Sequence, residues 1–204
     1  MSVRDTSIDP KILESARNEF FRNGFLQAEL KTICVNAGVT TGAVYKRYKG
    51  KEELFCALVK DTVEVLDSFI VSRVDVDLTT LTDEEVRKVW IMDEKRMLEM
   101  FGMLWDIRED FVLLLDRSAG TSYENYGHEF ALRMTDAYMH YYGEAKRRGL
   151  AKTEVSKDEM HVLCTSFWTS VYEPFVHRMS WKKIEEHCKI VCHFFDFASA
   201  IGMR

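Results

Sequence analysis

The stretch between Ile33 and Leu54 constrains the fold of this chain most strongly, because it carries the signals of two short helices joined by a tight turn. Ile33 and Ala37 lie four residues apart, so they share one face of the first helix. Gly38 follows at the position after a helix where a left-handed backbone is favoured. The hydroxyl of Thr40 then suits the N-cap of the second helix. The pattern predicts a helix-turn-helix.

The second helix, predicted over Thr41 to Tyr48, turns Val44 and Tyr48 inward and small, hydroxylated and basic side chains outward. Short side chains allow close approach to base edges in a DNA major groove, while hydroxyls and cations suit phosphates. Lys51 lies at the N-terminus of the next helix, where the helix dipole disfavours a cation. A phosphate bound there would offset this unfavourable charge. The predicted DNA-contacting residues are Thr40, Thr41, Gly42, Tyr45, Lys46, Arg47, Lys49 and Lys51. Cations at 46, 47 and 49 would also suit any helix C-terminus.

Charge is unevenly distributed along the chain. The net charge is −5, which alone would argue against nucleic acid. Residues 1–56 nevertheless hold nine Lys and Arg against seven Asp and Glu, whereas the remaining 148 residues hold nineteen against twenty-six. A local basic patch on an acidic body is compatible with a DNA-binding protein.

Composition indicates a globular, helical protein. Hydrophobic residues make up 47% of the 204 residues, only two are proline, and no strand pattern with hairpin signals is present. Five cysteines, an odd number without zinc-finger spacing, suggest reduced thiols. Residues 1–7 contain no apolar signal segment, and no run is long enough to span a membrane. We therefore expect a cytoplasmic protein with no membrane partner and no cofactor.

Between Ile12 and Val59 the chain resembles the DNA-binding domain of the tetracycline-repressor (TetR) family of transcription regulators. The resemblance covers about a quarter of the chain and rests on Ile-Leu-Glu-Ser-Ala-Arg-Asn-Glu-Phe-Phe-Arg-Asn-Gly-Phe at 12–25, Ala-Gly-Val-Thr-Thr-Gly-Ala-Val-Tyr-Lys-Arg-Tyr at 37–48 and Lys-Glu-Glu-Leu at 51–54. It implies an all-helical homodimer that binds a double-stranded DNA operator and carries a divergent C-terminal domain for a small-molecule effector.

The chain departs from the family pattern at Ala28 and Glu29, where the family usually has a Thr/Ser pair at the start of a helix. Those hydroxyls cap the helix and touch a phosphate. Alanine cannot cap, and Glu29 puts a negative charge where DNA would lie, although that charge also suits a helix N-terminus. We expect one phosphate contact to be missing here.

We expect an all-α fold of about nine helices. Residues 1–53 should form a three-helix DNA-binding domain, and residues 54–204 a helical domain for ligand binding and dimerisation. Capping boxes mark two helix starts, Thr82 with Glu85 and Ser156 with Glu159.

A segment rich in methionine and aromatic residues, from Trp90 to Tyr142, is the candidate ligand pocket. Ordinary helix core would explain the same composition. Nearby acids at 93, 94, 106 and 129 would suit a cationic apolar ligand, and solvated helix faces explain them equally well. The predicted lining is Trp90, Met97, Phe101, Trp105, Tyr126, Met134, Tyr138 and Phe167.

The last two predicted helices carry more large apolar side chains than one buried face accommodates, and the TetR family dimerises through this region. The predicted dimer interface is Trp168, Val171, Tyr172, Phe175, Val191, Phe194, Phe195 and Ala198. Burial within one subunit is the alternative.

Other chemistry has little support in the sequence. Cys188 and Cys192 lie one helical turn apart, but His187 and His193 point elsewhere, so we predict no metal site. No catalytic motif is present, and we expect no enzymatic activity. The hypothesis is a DNA-binding transcriptional regulator, a repressor released from a near-palindromic operator by a small molecule. The alternative is a small-molecule or metal/thiol sensor with weak or lost DNA binding.

Overall fold

A computed structural model describes residues 8–203, and the N-terminal residues expected to lack a signal segment lie outside them. The predicted all-α class is confirmed, since no strand occurs among the described residues. The helices are α1 (Asp9–Gln27), α2 (Leu30–Ala37), α3 (Thr41–Tyr45), α4 (Lys51–Val74), α5 (Asp83–Trp90), α6 (Glu94–Asp106), α7 (Arg108–Asp116), α8 (Tyr126–Arg147), α9 (Lys157–Val176), α10 (Trp181–Phe194) and α11 (Phe197–Ala200). Over residues 8–203, none is long and apolar enough to cross a membrane.

The described chain divides into two compact units. One contains residues 8–65 and 107–126, and the other contains residues 66–106 and 127–203. Helix α4 contributes residues to both units. The expected division after residue 53 separates two functions and stays a prediction. Spatially, α7 and the loop after it belong with the N-terminal helices.

The first unit has a core of aromatic rings. Phe20, Phe25 and Phe55 are buried, with ring centroids 5.2–5.9 Å apart. Helix α7 is fixed to α1 by a two-point ion pair, in which the Arg17 guanidinium donates to the Asp110 carboxylate at 2.7 and 2.9 Å. These contacts hold the helix-turn-helix on a rigid support.

Lys51 links the start of α4 to the end of α1. Gly24, at φ +68°, interrupts α1, so the carbonyl groups that follow lack regular helical partners. The Lys51 ammonium donates to the carbonyl oxygens of Phe25 at 2.6 Å, Leu26 at 3.2 Å and Ala28 at 2.9 Å. It also lies 4.4 Å from the centroid of the Phe25 ring.

The second unit has more helices than the sequence analysis predicted. Asp93 begins α6 by accepting hydrogen bonds from the backbone N–H groups of Lys95 and Arg96, at 2.8 and 3.2 Å. Asp196 begins α11 in the same way, through the N–H of Ser199 at 3.0 Å. These two caps separate α6 from α5 and α11 from α10. Both predicted capping boxes are confirmed, with each glutamate returning a bond to the cap residue.

The C-terminus of α8 is tied to the segment before α5. Arg148 donates to the carbonyl oxygens of Leu78 and Leu81, at 2.8 and 2.7 Å, and to the Asp83 carboxylate at 3.0 Å. Glu144 accepts hydrogen bonds from both Arg147 and Arg148, which lowers the pKa of Glu144 to about 2. This clamp positions α5, which carries Trp90.

The Lys51 clamp is tested by the variant Lys51→Met, which keeps the apolar stem and removes the donor. Because hydrogen bonds from a charged donor contribute about 1.5–3 kcal/mol, we expect urea unfolding to show a loss of about 2 kcal/mol. The control Lys49→Met removes an exposed ammonium and should change stability by less than about 0.5 kcal/mol. Equal losses for the two variants would contradict the clamp.

Candidate nucleic-acid interface and ligand cavity

The predicted turn between α2 and α3 is present in atomic detail. Gly38 ends α2 in the left-handed conformation, at φ +67° and ψ +32°. The Thr40 hydroxyl accepts a hydrogen bond from the N–H of Ala43 at 3.2 Å and caps α3. Val44 is fully buried and fixes the inner face of α3. The α3 helix ends at Tyr45, three residues before the predicted end, and continues as a turn.

The outer side of this short helix has the predicted composition. Thr41, Gly42, Lys46 and Lys49 are exposed, and the side chain of Tyr45 is 58% exposed. A Cβ atom added at position 42 would meet nothing closer than the Thr40 hydroxyl oxygen at 3.9 Å. The protein's own packing therefore does not require glycine here, whereas close approach of a partner surface would.

Two predicted DNA contacts have other partners in the structure. The Arg47 side chain is only 6% exposed, where it pairs with the Asp9 carboxylate and donates to the Ala43 carbonyl at 3.1 Å. Lys51 occupies the carbonyl oxygens at the end of α1, which resolves its unfavourable helix position without a phosphate. Thr40 acts as a cap. Groups of the protein itself thus bind the Arg47 and Lys51 side chains in this structure, and their contact with phosphates stays an untested prediction.

The departure at Ala28 and Glu29 has a structural compensation that the sequence analysis missed. Ala28 is buried, and the exposed Glu29 side chain makes no capping bond to α2. Instead the Glu19 carboxylate, carried by α1, accepts hydrogen bonds from the N–H of Glu29 at 3.1 Å and from the Asn23 amide at 2.9 Å. Glu19 thus satisfies the N–H of the N-cap residue itself, while the Glu29 charge stays at the start of α2.

The second unit contains a cavity of about 460 Å³. That volume lies within the range of about 300–1,000 Å³ usual for small-molecule sites. Five methionines and several aromatic rings dominate its wall. The lining is Phe69, Ile70, Arg73, Val89, Trp90, Ile91, Met92, Asp93, Arg96, Met97, Glu99, Met100, Met103, Phe130, Met134, Ala137, Tyr138, Tyr141, Phe167, Trp168 and Phe197. It includes the predicted Trp90, Met97, Met134, Tyr138 and Phe167.

Three predicted lining residues lie elsewhere. Phe101 is fully buried and stacks on Phe175 with centroids 6.1 Å apart. Trp105 packs against Trp181 at 5.5 Å. Tyr126 belongs to the first unit. Their helix faces turn towards other helices, a distinction that composition does not reveal. The missed lining on α4, at 69, 70 and 73, follows helical spacing.

The predicted acids do not form a cationic-ligand site. Glu94, Asp106 and Glu129 are exposed and lie outside the cavity wall. Asp93 is in the wall, but its carboxylate caps α6. The expectation of a cationic ligand therefore loses its basis.

Most of the predicted dimer interface is core of a single protomer. Trp168, Val171, Phe175, Val191 and Phe195 are at most 7% exposed. Neighbouring rings cover them, as with Trp168 against Phe130 at a centroid distance of 4.2 Å. Tyr172 and Ala198 are half-buried. Of this set only Phe194 is well exposed, at 77%. The apolar side chains that α9 and α10 do expose are Val162, Ile190 and Phe194.

The cysteines are free thiols. Burial raises the pKa of Cys188 to about 12, and the nearby Cys192 adds to the shift. The Cys188 thiol donates to the Glu94 carbonyl at 3.7 Å. Within residues 8–203 no three His, Cys, Asp or Glu side chains are grouped to hold a metal ion.

Solved structures with the same fold are bacterial regulators. A candidate fatty acid metabolism regulator from Clostridium perfringens is 19% identical, with a TM-score of 0.61 over 91% of this chain and 97% of that one. The regulator FadR from Bacillus subtilis, solved with stearoyl-CoA, is 15% identical, with a TM-score of 0.55 over 92% and 97%. NalD, the secondary repressor of the MexAB-OprM efflux pump in Pseudomonas aeruginosa, is 17% identical, with a TM-score of 0.57 over 92% and 95%.

Searching curated proteins finds no match. The family of bacterial regulatory proteins described as tetR matches residues 12–58, the segment that holds α1 to α3 and the start of α4. That segment is the helix-turn-helix derived above, and the helical remainder has the fold of the same regulators. Residues 12–58 of this chain match the TetR family of bacterial regulatory proteins, and the described chain has the fold of these solved regulators.

Proposed function

We propose that the protein is a repressor that binds a near-palindromic operator as a dimer and is released by a small molecule. The observation that carries the DNA part is the outer side of α3, where Thr41, Gly42, Tyr45 and Lys46 are exposed together. Lys49 follows with an exposed ammonium. In this arrangement the threonine and the glycine approach base edges, and the tyrosine and lysines contact phosphates.

The effector site of this proposal is the cavity of the second unit. Its wall combines adaptable methionines with rigid aromatic rings, as in sites for apolar small molecules. Helix α4 carries Lys51 near its start and the cavity residues Phe69 and Arg73 near its end. A ligand that binds more tightly to the protein with α4 in one of two positions would favour that position. The α3 helices of the two protomers would then lie at a spacing that no longer matches the operator.

The dimer of this proposal uses the exposed apolar side chains of α9 and α10. Val162, Ile190 and Phe194 are 64%, 64% and 77% exposed. Exposed apolar groups of this size are typical of protein–protein interfaces. A two-fold axis would place these side chains of one protomer against the same side chains of its partner. Phe194 also belongs to the interface predicted from the sequence.

An experiment on the DNA part starts with genomic fragments enriched by the purified protein. We expect a palindromic fragment whose affinity falls with salt, with a slope of about −4 to −7 for some four to eight phosphates. The absence of any enriched fragment, at low salt and with metabolite extracts added, would contradict the repressor.

The phosphate assignments predict the behaviour of Tyr45→Phe and Lys46→Met. Each variant should weaken binding to all sequences by a similar factor, and Lys46→Met should reduce the salt slope by about 1. Lys60→Met serves as the control, because it removes an exposed cation of α4 that is not among the predicted DNA-contacting residues. A loss confined to the operator sequence would assign these residues to base recognition instead.

The interface predicts that Phe194→Glu converts the dimer to a monomer, because the charge would be buried against its copy. Val71→Glu, at a 54% exposed position of α4, should leave the dimer intact. Sedimentation velocity measures both. A dimeric Phe194→Glu protein would move the interface elsewhere.

A second candidate, a sensor of the same fold with weakened DNA binding, is favoured by one observation. Glu29 is exposed at the start of α2, where the TetR pattern usually has a Thr/Ser pair that touches a phosphate. Glu29→Thr should then raise affinity for DNA fragments. If wild type and variant bind DNA equally, this candidate loses its support.

A further inference from the structure

The cavity wall contains a buried donor without an acceptor. Trp90 is 2% exposed, and no described residue accepts a hydrogen bond from its indole N–H. Its ring packs against Tyr138 at a centroid distance of 5.6 Å. Native proteins pair nearly all buried donors, so an exception in a cavity wall indicates that the acceptor comes from a ligand.

A positive charge lies in the same wall. Arg73, on α4, places its guanidinium 4.9 Å from the centroid of the Phe69 ring. No carboxylate of the described residues forms an ion pair with it. The ring supports the cation from one side, and the guanidinium keeps its hydrogen-bond donors available.

Two tyrosines accompany this cation. Burial raises the pKa of Tyr138 to about 12 and raises that of Tyr141 as well, while the charge of Arg73 acts in the opposite direction on both. Arg73, Tyr138 and Tyr141 all line the same cavity. At neutral pH both hydroxyls stay protonated and act as donors. One cation and two neutral donors form an arrangement suited to an oxyanion.

The other charged residues of the wall are Asp93, Arg96 and Glu99. Asp93 uses its carboxylate to cap α6, through the N–H groups of Lys95 and Arg96. The wall therefore holds two cations, Arg73 and Arg96, and neither forms an ion pair with a carboxylate of the described residues. Of the two, Arg73 is the one that lies over an aromatic ring of the wall.

We propose that the cavity binds an amphipathic anion, an apolar molecule that carries a single carboxylate. Arg73 and the hydroxyls of Tyr138 and Tyr141 hold the carboxylate, and the apolar part lies among the methionines. A polar atom within the ligand accepts from the Trp90 N–H. This assignment rests on the proposed role of the cavity as effector site and names the chemical class of the effector.

Three probes of one chain length separate charge from apolar burial: dodecanoate, 1-dodecanol and dodecylammonium. Each is titrated calorimetrically into the full-length protein without DNA. We expect dodecanoate to bind at least about tenfold more tightly than the alcohol, because a charged hydrogen bond adds about that factor. The ammonium should bind most weakly.

Variants locate the charge preference. Arg73→Gln should bring dodecanoate to within about twofold of dodecanol while leaving dodecanol unchanged, and Tyr138→Phe should lower dodecanoate affinity by about threefold to tenfold. Lys95→Gln removes an exposed cation from α6 outside the cavity wall and should change none of the three affinities.

Three results would overturn the proposal: dodecylammonium binding as tightly as dodecanoate, an equal loss for all probes in Arg73→Gln, or no binding of any probe. Because DNA is absent from the titration, the outcome is independent of the operator experiment. Binding of dodecanoate without binding of any DNA fragment would support this inference and refute the repressor. Binding of DNA without binding of dodecanoate would support the repressor and refute this inference.

Discussion

The ammonium group of Lys51, held by three backbone carbonyl oxygens, is the contact on which the DNA-binding unit depends. Gly24 breaks α1 so that the chain reverses towards α2, and this leaves carbonyl groups that need donors. One side chain from α4 satisfies them and lies against the Phe25 ring. One charged donor thereby joins the start of α4 to the end of α1. Hydrogen bonds from an uncharged donor would hold these two helices together less strongly.

The two units present different surfaces for different partners. The first exposes hydroxyls, a glycine and cations on the short helix α3, an arrangement suited to a polyanion. The second contains an apolar cavity with two arginines, Arg73 and Arg96, in its wall. The N-terminal 56 residues, which carry α3, are slightly basic, whereas the rest of the chain, including residues 107–126 of the first unit, is acidic. Net charge alone would have concealed the basic surface.

Local signals in the sequence were sufficient for the turn and for several helix starts. Gly38 and Thr40 each act within a few residues of their own position, as do the Thr82 and Ser156 capping boxes. The outer side of α3 followed from helical spacing. The caps at Asp93 and Asp196 are equally local, but the sequence analysis did not predict them.

Long-range partners could not be predicted from spacing. Lys51 and Arg47 were expected to contact phosphates, yet their partners lie 23–26 and 38 residues away in the sequence. The burial of most of the predicted interface within one protomer has a related reason. The surplus of aromatic side chains on α9 and α10 is covered by rings from α6, α8 and α11, including Phe101, Phe130 and Phe197. Composition counts such side chains but does not identify what covers them.

The structure of the protein bound to its operator would test the central claim most directly, through the distances from lysine ammonium groups to phosphate oxygens. The account predicts that Lys46 and Lys49 lie within hydrogen-bond distance of phosphates while Lys51 keeps its three carbonyl oxygens at the end of α1. A Lys51 ammonium that has left those oxygens for a phosphate would contradict the account. The contact would then belong to DNA recognition and not to the fold.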